Sequence, residues 1–169
     1  IVVDDSSRAG GFGHLFIIVI SPISGEGHVY SFGPEKTNTA FGAGKVTTGV
    51  IPSEVLKDKQ ATLPWLHNND EFIDDVNGYN DVHFVLVPMS PEATRNSKDW
   101  LNTTSGLYDV RPYPDYNFTF FNCDDFVLTA LKAGGEVPIL EFNWPLNIST
   151  PDMDINILEW TYGFDPWGN

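Results

Sequence analysis

A chain of 169 residues is long enough to build one core without staples, and its single cysteine excludes an internal disulfide framework and a cysteine-built zinc site. A hydrophobic content of 41% with 14% aromatic residues is that of a globular chain rather than a disordered one. Nine basic residues against 23 acidic ones give a net charge of −14, which argues against nucleic acid as a partner and against docking on anionic lipid by charge.

In chain order, residues 1–12 are polar and glycine-rich and read as an irregular lead-in that opens, without methionine, at Ile1, as a mature fragment or the end domain of a longer protein would. Residues 14–20 and 28–32 read as strands, joined through the turn formers of Ser21-Pro22-Ile23-Ser24-Gly25-Glu26-Gly27. Residues 33–51, rich in Gly, Thr and Ala, read as a long loop with a short strand at Lys45–Ile51. Ser53-Glu54-Val55-Leu56 predicts an N-capped helical turn, and residues 64–81 an acidic surface loop. Residues 82–87 alternate as a strand, and Ser90-Pro91-Glu92-Ala93 starts a helix expected to run from about Pro91 to Asn102. Tyr116–Phe121 is an aromatic strand-like run that ends at Cys123.

The helix expected from Cys123 is the best-defined element. Phe126, Val127, Ala130 and Leu131 share one face, Asp124 and Asp125 suit the positive end of its dipole, and Lys132 with Gly134-Gly135 closes it. The tail from Trp144 shows no period and reads as irregular chain. There is no internal repeat and no domain boundary, so residues 1–169 are expected to form a single domain. No apolar run is long enough for a membrane span, so stable membrane insertion is not expected.

Cys123 is the chemically distinctive residue. A thiol at a helix start sits among unsatisfied N–H groups at the positive dipole end, which favours the thiolate. A cysteine hydrolase also needs an imidazole as base and a polar group to orient it. His14, opening the apolar strand Leu15–Ile20, supplies the base; the orienting group is Ser31, His28 or a residue of the middle region. Antiparallel pairing places the residue opposite His14 near Ser31 to Pro34 and His28 near Ile20. His67 falls in a polar loop, His83 alternates with apolar neighbours, and the acids around Asp70, Glu71, Asp74 and Asp75 lack the spacing of a calcium loop. The triplets at Asn102, Asn117 and Asn147 match the glycan-acceptor pattern and are read as chance.

Gly13-His14 before an apolar strand and hairpin, then an aromatic run ending in Asn122-Cys123-x-x-Phe126-Val127, resembles the permuted papain-like thiol hydrolases. That group includes lecithin:retinol acyltransferase-like enzymes, PPPDE-type isopeptidases and permuted NlpC-type peptidases. The resemblance covers about 40 residues in two blocks. It implies an α+β fold in which a small antiparallel β-sheet packs on helices. It makes Cys123 the nucleophile and His14 the general base, with a third polar residue late on the second strand, where this chain carries Ser31.

The expected function is therefore a cysteine peptidase or amidase acting on a peptide or peptidoglycan-like amide, without a cofactor, in a secreted bacterial toxin or exported effector. A thiol acyltransferase or lipid acyl-hydrolase using the same residues is an alternative. A non-catalytic acidic domain that binds or inhibits a basic protein is another, and the charge of −14 suits it.

Overall fold

The computed structural model describes residues 1–5, 13–35, 41–69, 72–73, 79–110, 116–117, 122–135, 151–163 and 165–168. It is α+β. The strands are β1 (Val2–Asp5), β2 (Leu15–Ile20), β3 (Gly27–Pro34), β4 (Phe41–Gly42), β5 (Gly44–Ile51), β6 (Val82–Val85) and β7 (Tyr116–Asn117). The helices are α1 (Ser53–Leu56), α2 (Lys59–Asn68), α3 (Pro91–Val110), α4 (Cys123–Ala133) and α5 (Pro151–Tyr162). Five strands form an antiparallel sheet in the order β5-β3-β2-β1-β6, and β4 pairs with β7 in a separate ribbon.

Helices cover both faces of the sheet, which is why Leu15–Ile20 is an unbroken apolar run instead of an alternating one. On one face Leu15, Ile17, Val19, Tyr30 and Phe32 pack with Leu101 of α3, Phe126, Val127, Ala130 and Leu131 of α4, and Ile155 and Leu158 of α5. On the other, Val3, Phe16, Ile18 and Val29 pack with Leu56 of α1, Leu63 and Leu66 of α2, and Phe72 and Ile73. Strand alternation assigns every side chain of β1, β2 and β3 to one of these two layers.

Several elements differ from the sequence reading. The lead-in contains β1, which lies between β2 and β6 and has all four residues buried; two acids and the glycines after them hide an apolar start too short to show a period. The short strand expected at Lys45–Ile51 is β5, which pairs with β3 over eight positions, from Gly27↔Ile51 to Pro34↔Gly44. The Gly and Thr residues of β5 fit because that strand lies at the sheet edge and is partly exposed. The helical turn at Ser53 has Pro52 at its cap position, with no side-chain cap bond.

α2 occupies part of the expected acidic loop despite Pro64 within it. Asp58 caps it by accepting from the Gln60 N–H at 2.9 Å, and buried Leu63 and Leu66 anchor it. α3 starts at Pro91 under the Ser90 cap but continues to Val110, with Leu101 at its buried face. Of the aromatic run before Cys123, Tyr116–Asn117 is a strand, and it pairs with β4 rather than with the main sheet. Residues 118–121 and the acids at 70, 71, 74 and 75 lie outside the described residues. The tail contains α5, whose Ile155 and Leu158 close the α4 layer.

Phe126 links the best-read helix to the sheet. It is fully buried, stacks on Phe32 at 5.5 Å between centroids, and meets Trp100 of α3 at 5.4 Å. Phe126→Ala should lower unfolding free energy by about 3–5 kcal/mol. Urea unfolding of the two proteins checks this, and a loss under about 1 kcal/mol would contradict the assigned core.

Candidate active site

Asn122 caps α4 and fixes where Cys123 points. The Asn122 side-chain oxygen accepts from the N–H groups of Asp124 at 2.9 Å and Asp125 at 3.2 Å, while the Asp125 carboxylate accepts from the Asn122 N–H at 3.2 Å. This reciprocal box satisfies the exposed donors of the helix start. Asp125 is thus the dipole and cap partner that its position in the first turn predicts. Burial pushes its pKa up, and the Asn122 N–H and Lys132 pull it back.

Cys123 is buried at 5% exposure and belongs to the α4 layer. Its sulfur lies 3.7 Å from Oδ1 of Asp124, which is itself fully buried. Burial raises the thiol pKa well above its ordinary value, and the Asp124 carboxylate adds to the rise. Hydrogen bonds from the Leu15 and Cys123 backbone N–H groups act the other way without reversing it. Against the thiolate expected from the helix dipole, burial and the like charge of Asp124 favour the protonated thiol. Asp124, read from sequence as a dipole partner, faces the sulfur.

The Leu15 N–H is available to the sulfur for a reason visible in the strand register. β2 pairs with β3 from Ile20↔Gly27 only as far as Ile17↔Tyr30. The start of β2, next to His14, therefore meets the N-terminus of α4, and the two sequence blocks that carry the resemblance come together there.

His14 enters β2 from Gly13, whose φ of 80° is a left-handed value that glycine adopts without strain. Its backbone exchanges two hydrogen bonds with Asp5, both at 3.1 Å. Its ring lies over Phe16, 6.0 Å between centroids, and its Nε2 is 2.7 Å from Oγ of Ser31. Ser31 is 8% exposed, so this contact is shielded from bulk water. By strand alternation Ser31 lies on the layer of Val29 and Phe16, while Cys123 lies in the opposite layer. Imidazole and thiol approach the end of β2 from its two sides.

The structure thus brings His14 and Ser31 into contact and places Cys123 against the residue next to His14. It does not bring His28 to them. His28 pairs with Val19, three residues from Ser31 along β3, about 10 Å of strand, and on the other layer. There burial and Lys98 of α3 lower its pKa, with Glu26 opposing. His67 is not a loop residue: it sits in the last turn of α2 and its Nδ1 contacts the Ile73 carbonyl at 3.1 Å. His83 lies on β6, 3.5 Å from Glu159. Asn102 accepts a hydrogen bond from the Tyr30 hydroxyl at 2.6 Å, an internal structural role.

Sequence reasoning missed Asp5, assigned to the lead-in, and the facing of Asp124 towards the thiol. The usable signal for Asp5 was Ile1-Val2-Val3 directly before Asp4-Asp5, an apolar start that a strand would bury. Among the described residues no group of three or more His, Cys, Asp or Glu side chains is arranged to hold a metal ion, and no helix is long and apolar enough to cross a membrane.

The folded thiol loses its proton at higher pH than the unfolded one. The native state is thus fully favoured below the unfolded value of about 8.5, and this advantage is lost as pH rises towards the folded value. Relative to Cys123→Ser, the wild type should lose stability above about pH 8.5 at up to roughly 1.4 kcal/mol per pH unit. Parallel urea midpoints of the two proteins from neutral to alkaline pH would contradict the buried, carboxylate-facing thiol.

Compared with models of known families, with curated proteins and with solved structures, the chain matches none.

Proposed function

We propose that this protein is a cysteine-dependent hydrolase of amide bonds in a permuted papain-like arrangement. The observation that carries the proposal is the meeting at the start of β2: the sulfur of Cys123 accepts from the Leu15 N–H, and the adjacent His14 is held by Ser31 at 2.7 Å. In this reading His14 takes the thiol proton as Sγ attacks the carbonyl carbon. The bond to the leaving amine breaks as His14 returns the proton to it, and water then hydrolyses the acyl-enzyme. Because burial and Asp124 keep the resting thiol neutral, His14 acts as a general base during attack rather than as half of a standing ion pair. The Cys123 and Leu15 N–H groups, already directed at the sulfur, supply donors near the developing oxyanion. Ser31 fills the orienting position late on the second strand.

The substrate class in this reading is a peptide or peptidoglycan-like amide, and the setting a secreted or exported effector. A net charge of −14 suits neutral or cationic substrates and a basic partner. The acyltransfer alternative needs an apolar acyl site beside the thiol. An apolar cavity of about 270 Å³ is lined by Ile17, Val19, Met89 and Leu131, but Leu131 lies eight residues along α4 from Cys123, about 12 Å of helix. That separation favours amides over long acyl chains. A non-catalytic acidic binding domain is the second reading, and the 5% exposure of the thiol is what favours it.

Hydrolysis of peptide and peptidoglycan-stem substrates by purified variants separates these readings. Cys123→Ala should abolish turnover with the fold retained, and His14→Ala should cost about 10³-fold or more, because nucleophile and base act as a unit. Ser31→Ala should cost about tenfold, the worth of one orienting hydrogen bond. Turnover that survives Cys123→Ala would overturn the assignment of the nucleophile. Absence of turnover in the wild type, together with tight binding of a basic protein, would establish the binding-domain reading.

A further inference from the structure

His14 has a neighbour on each side, and only one of them was legible as part of the site. Asp5 and His14 exchange both backbone hydrogen bonds, at 3.1 Å each, so they form a directly opposed cross-strand pair. In such a pair the Cα atoms are about 5.5 Å apart and the side chains project from the same face. Alternation agrees: Val3, Phe16 and Val29 belong to one core layer, and Asp5, His14 and Ser31 are each two residues along their strands from one of them. Three adjacent strands therefore contribute one residue each to a single face, Asp5 on β1 directly opposite His14 at the entry to β2, and Ser31 on β3 diagonal to His14.

Asp5 is fully buried. A carboxylate is almost never fully buried without a partner of opposite charge or a hydrogen-bond donor, since desolvation is too costly. The imidazole directly opposite can be both.

We propose that Asp5 is a positioning residue for His14, which sets the orientation of the ring and favours its protonated form from the side away from Ser31. Its part in catalysis rests on the hydrolase reading: a base that receives the Cys123 proton becomes an imidazolium, and a carboxylate beside it stabilises that charge. Among the described residues, the other titratable or charged groups on the elements around His14 include His67 of α2 and Tyr79 on the same layer, Asp81 just before β6, Cys123 and Asp124 at the start of α4, Glu35 after β3, and Lys45 of β5, whose position pairs with Gly33. Asp4 lies on the opposite side of β1 and pairs with Leu15 and His83.

The test is an NMR titration of the histidine rings in the full chain, wild type and Asp5→Asn. The His14 pKa should fall by about one unit in the variant, while His28, His67 and His83 titrate as before. An unchanged His14 pKa would overturn the proposal. Should Asp5→Asn fail to fold, the wild type still decides: the Asp5 carboxyl carbon should show a step in its shift at the pH where His14 titrates, and no step there would be equally fatal. Neither readout uses turnover, so this proposal and the hydrolase reading fail separately. If turnover is present, the acid limb of kcat/KM should move to lower pH in Asp5→Asn by the same shift.

Discussion

The structure of the site depends on how the N-terminus of α4 is satisfied where it is buried. A helix start carries free N–H groups that cannot be left dry in a core. Asn122 and Asp125 take up these groups in a reciprocal cap, which fixes the helix axis and the direction of the first side chain. That side chain is Cys123. With Phe126, Val127, Ala130 and Leu131 locked into the sheet on the same helix, the sulfur is set against Leu15. Because β2 and β3 are not paired beyond Ile17↔Tyr30, the Leu15 N–H can turn to the sulfur. Cap, core face and strand register together place the thiol against Leu15, the residue next to His14 in the chain.

Electrostatics at this point is a competition for one proton. Burial and Asp124 favour keeping it on sulfur, while the N–H groups of Leu15 and Cys123 favour releasing it. On the other side of the strand end, Ser31 holds the imidazole and Asp5 lies opposite it. A site balanced in this way keeps its thiol quiet towards solvent, and in the proposed hydrolase its reactivity is controlled by the histidine rather than by the helix dipole. Sequence logic that stops at the dipole assigns a standing thiolate, whereas burial first, and then the like charge one residue on, raise the thiol pKa.

The legible parts were those with local signatures. Gly13-His14 before Leu15–Ile20, the hairpin turn, the Ser90–Pro91 helix start and the Asn122–Gly135 helix all carry caps, turns or periods within a few residues. Ser31 was reachable because antiparallel register narrows the positions near His14 to Ser31–Pro34, and alternation puts Ser31 on the same face as His14. The missed parts depend on distant neighbours. β1 is a strand because β2 and β6 flank it, and the apolar start Ile1-Val2-Val3 is too short by itself to mark Asp4 and Asp5 as buried. α2 keeps its helix through Pro64 because Leu63 and Leu66 anchor it in a core that the sequence does not display. α5 likewise exists because Ile155 and Leu158 complete a layer formed by α4. Whether Asp124 faced the sulfur or solvent was a matter of tertiary packing, which its place in the first turn left open.

The central claim is that His14 accepts the proton of Cys123, and the pH dependence of Cys123 alkylation by iodoacetamide in wild type and His14→Ala tests it most directly. The account predicts a limb in the wild-type profile that rises through the ordinary imidazole range, about 6.5, and disappears in His14→Ala, leaving only reaction at alkaline pH. Superimposable profiles, both rising only above the ordinary thiol value of about 8.5, would contradict it and make Cys123 a structural residue of the core.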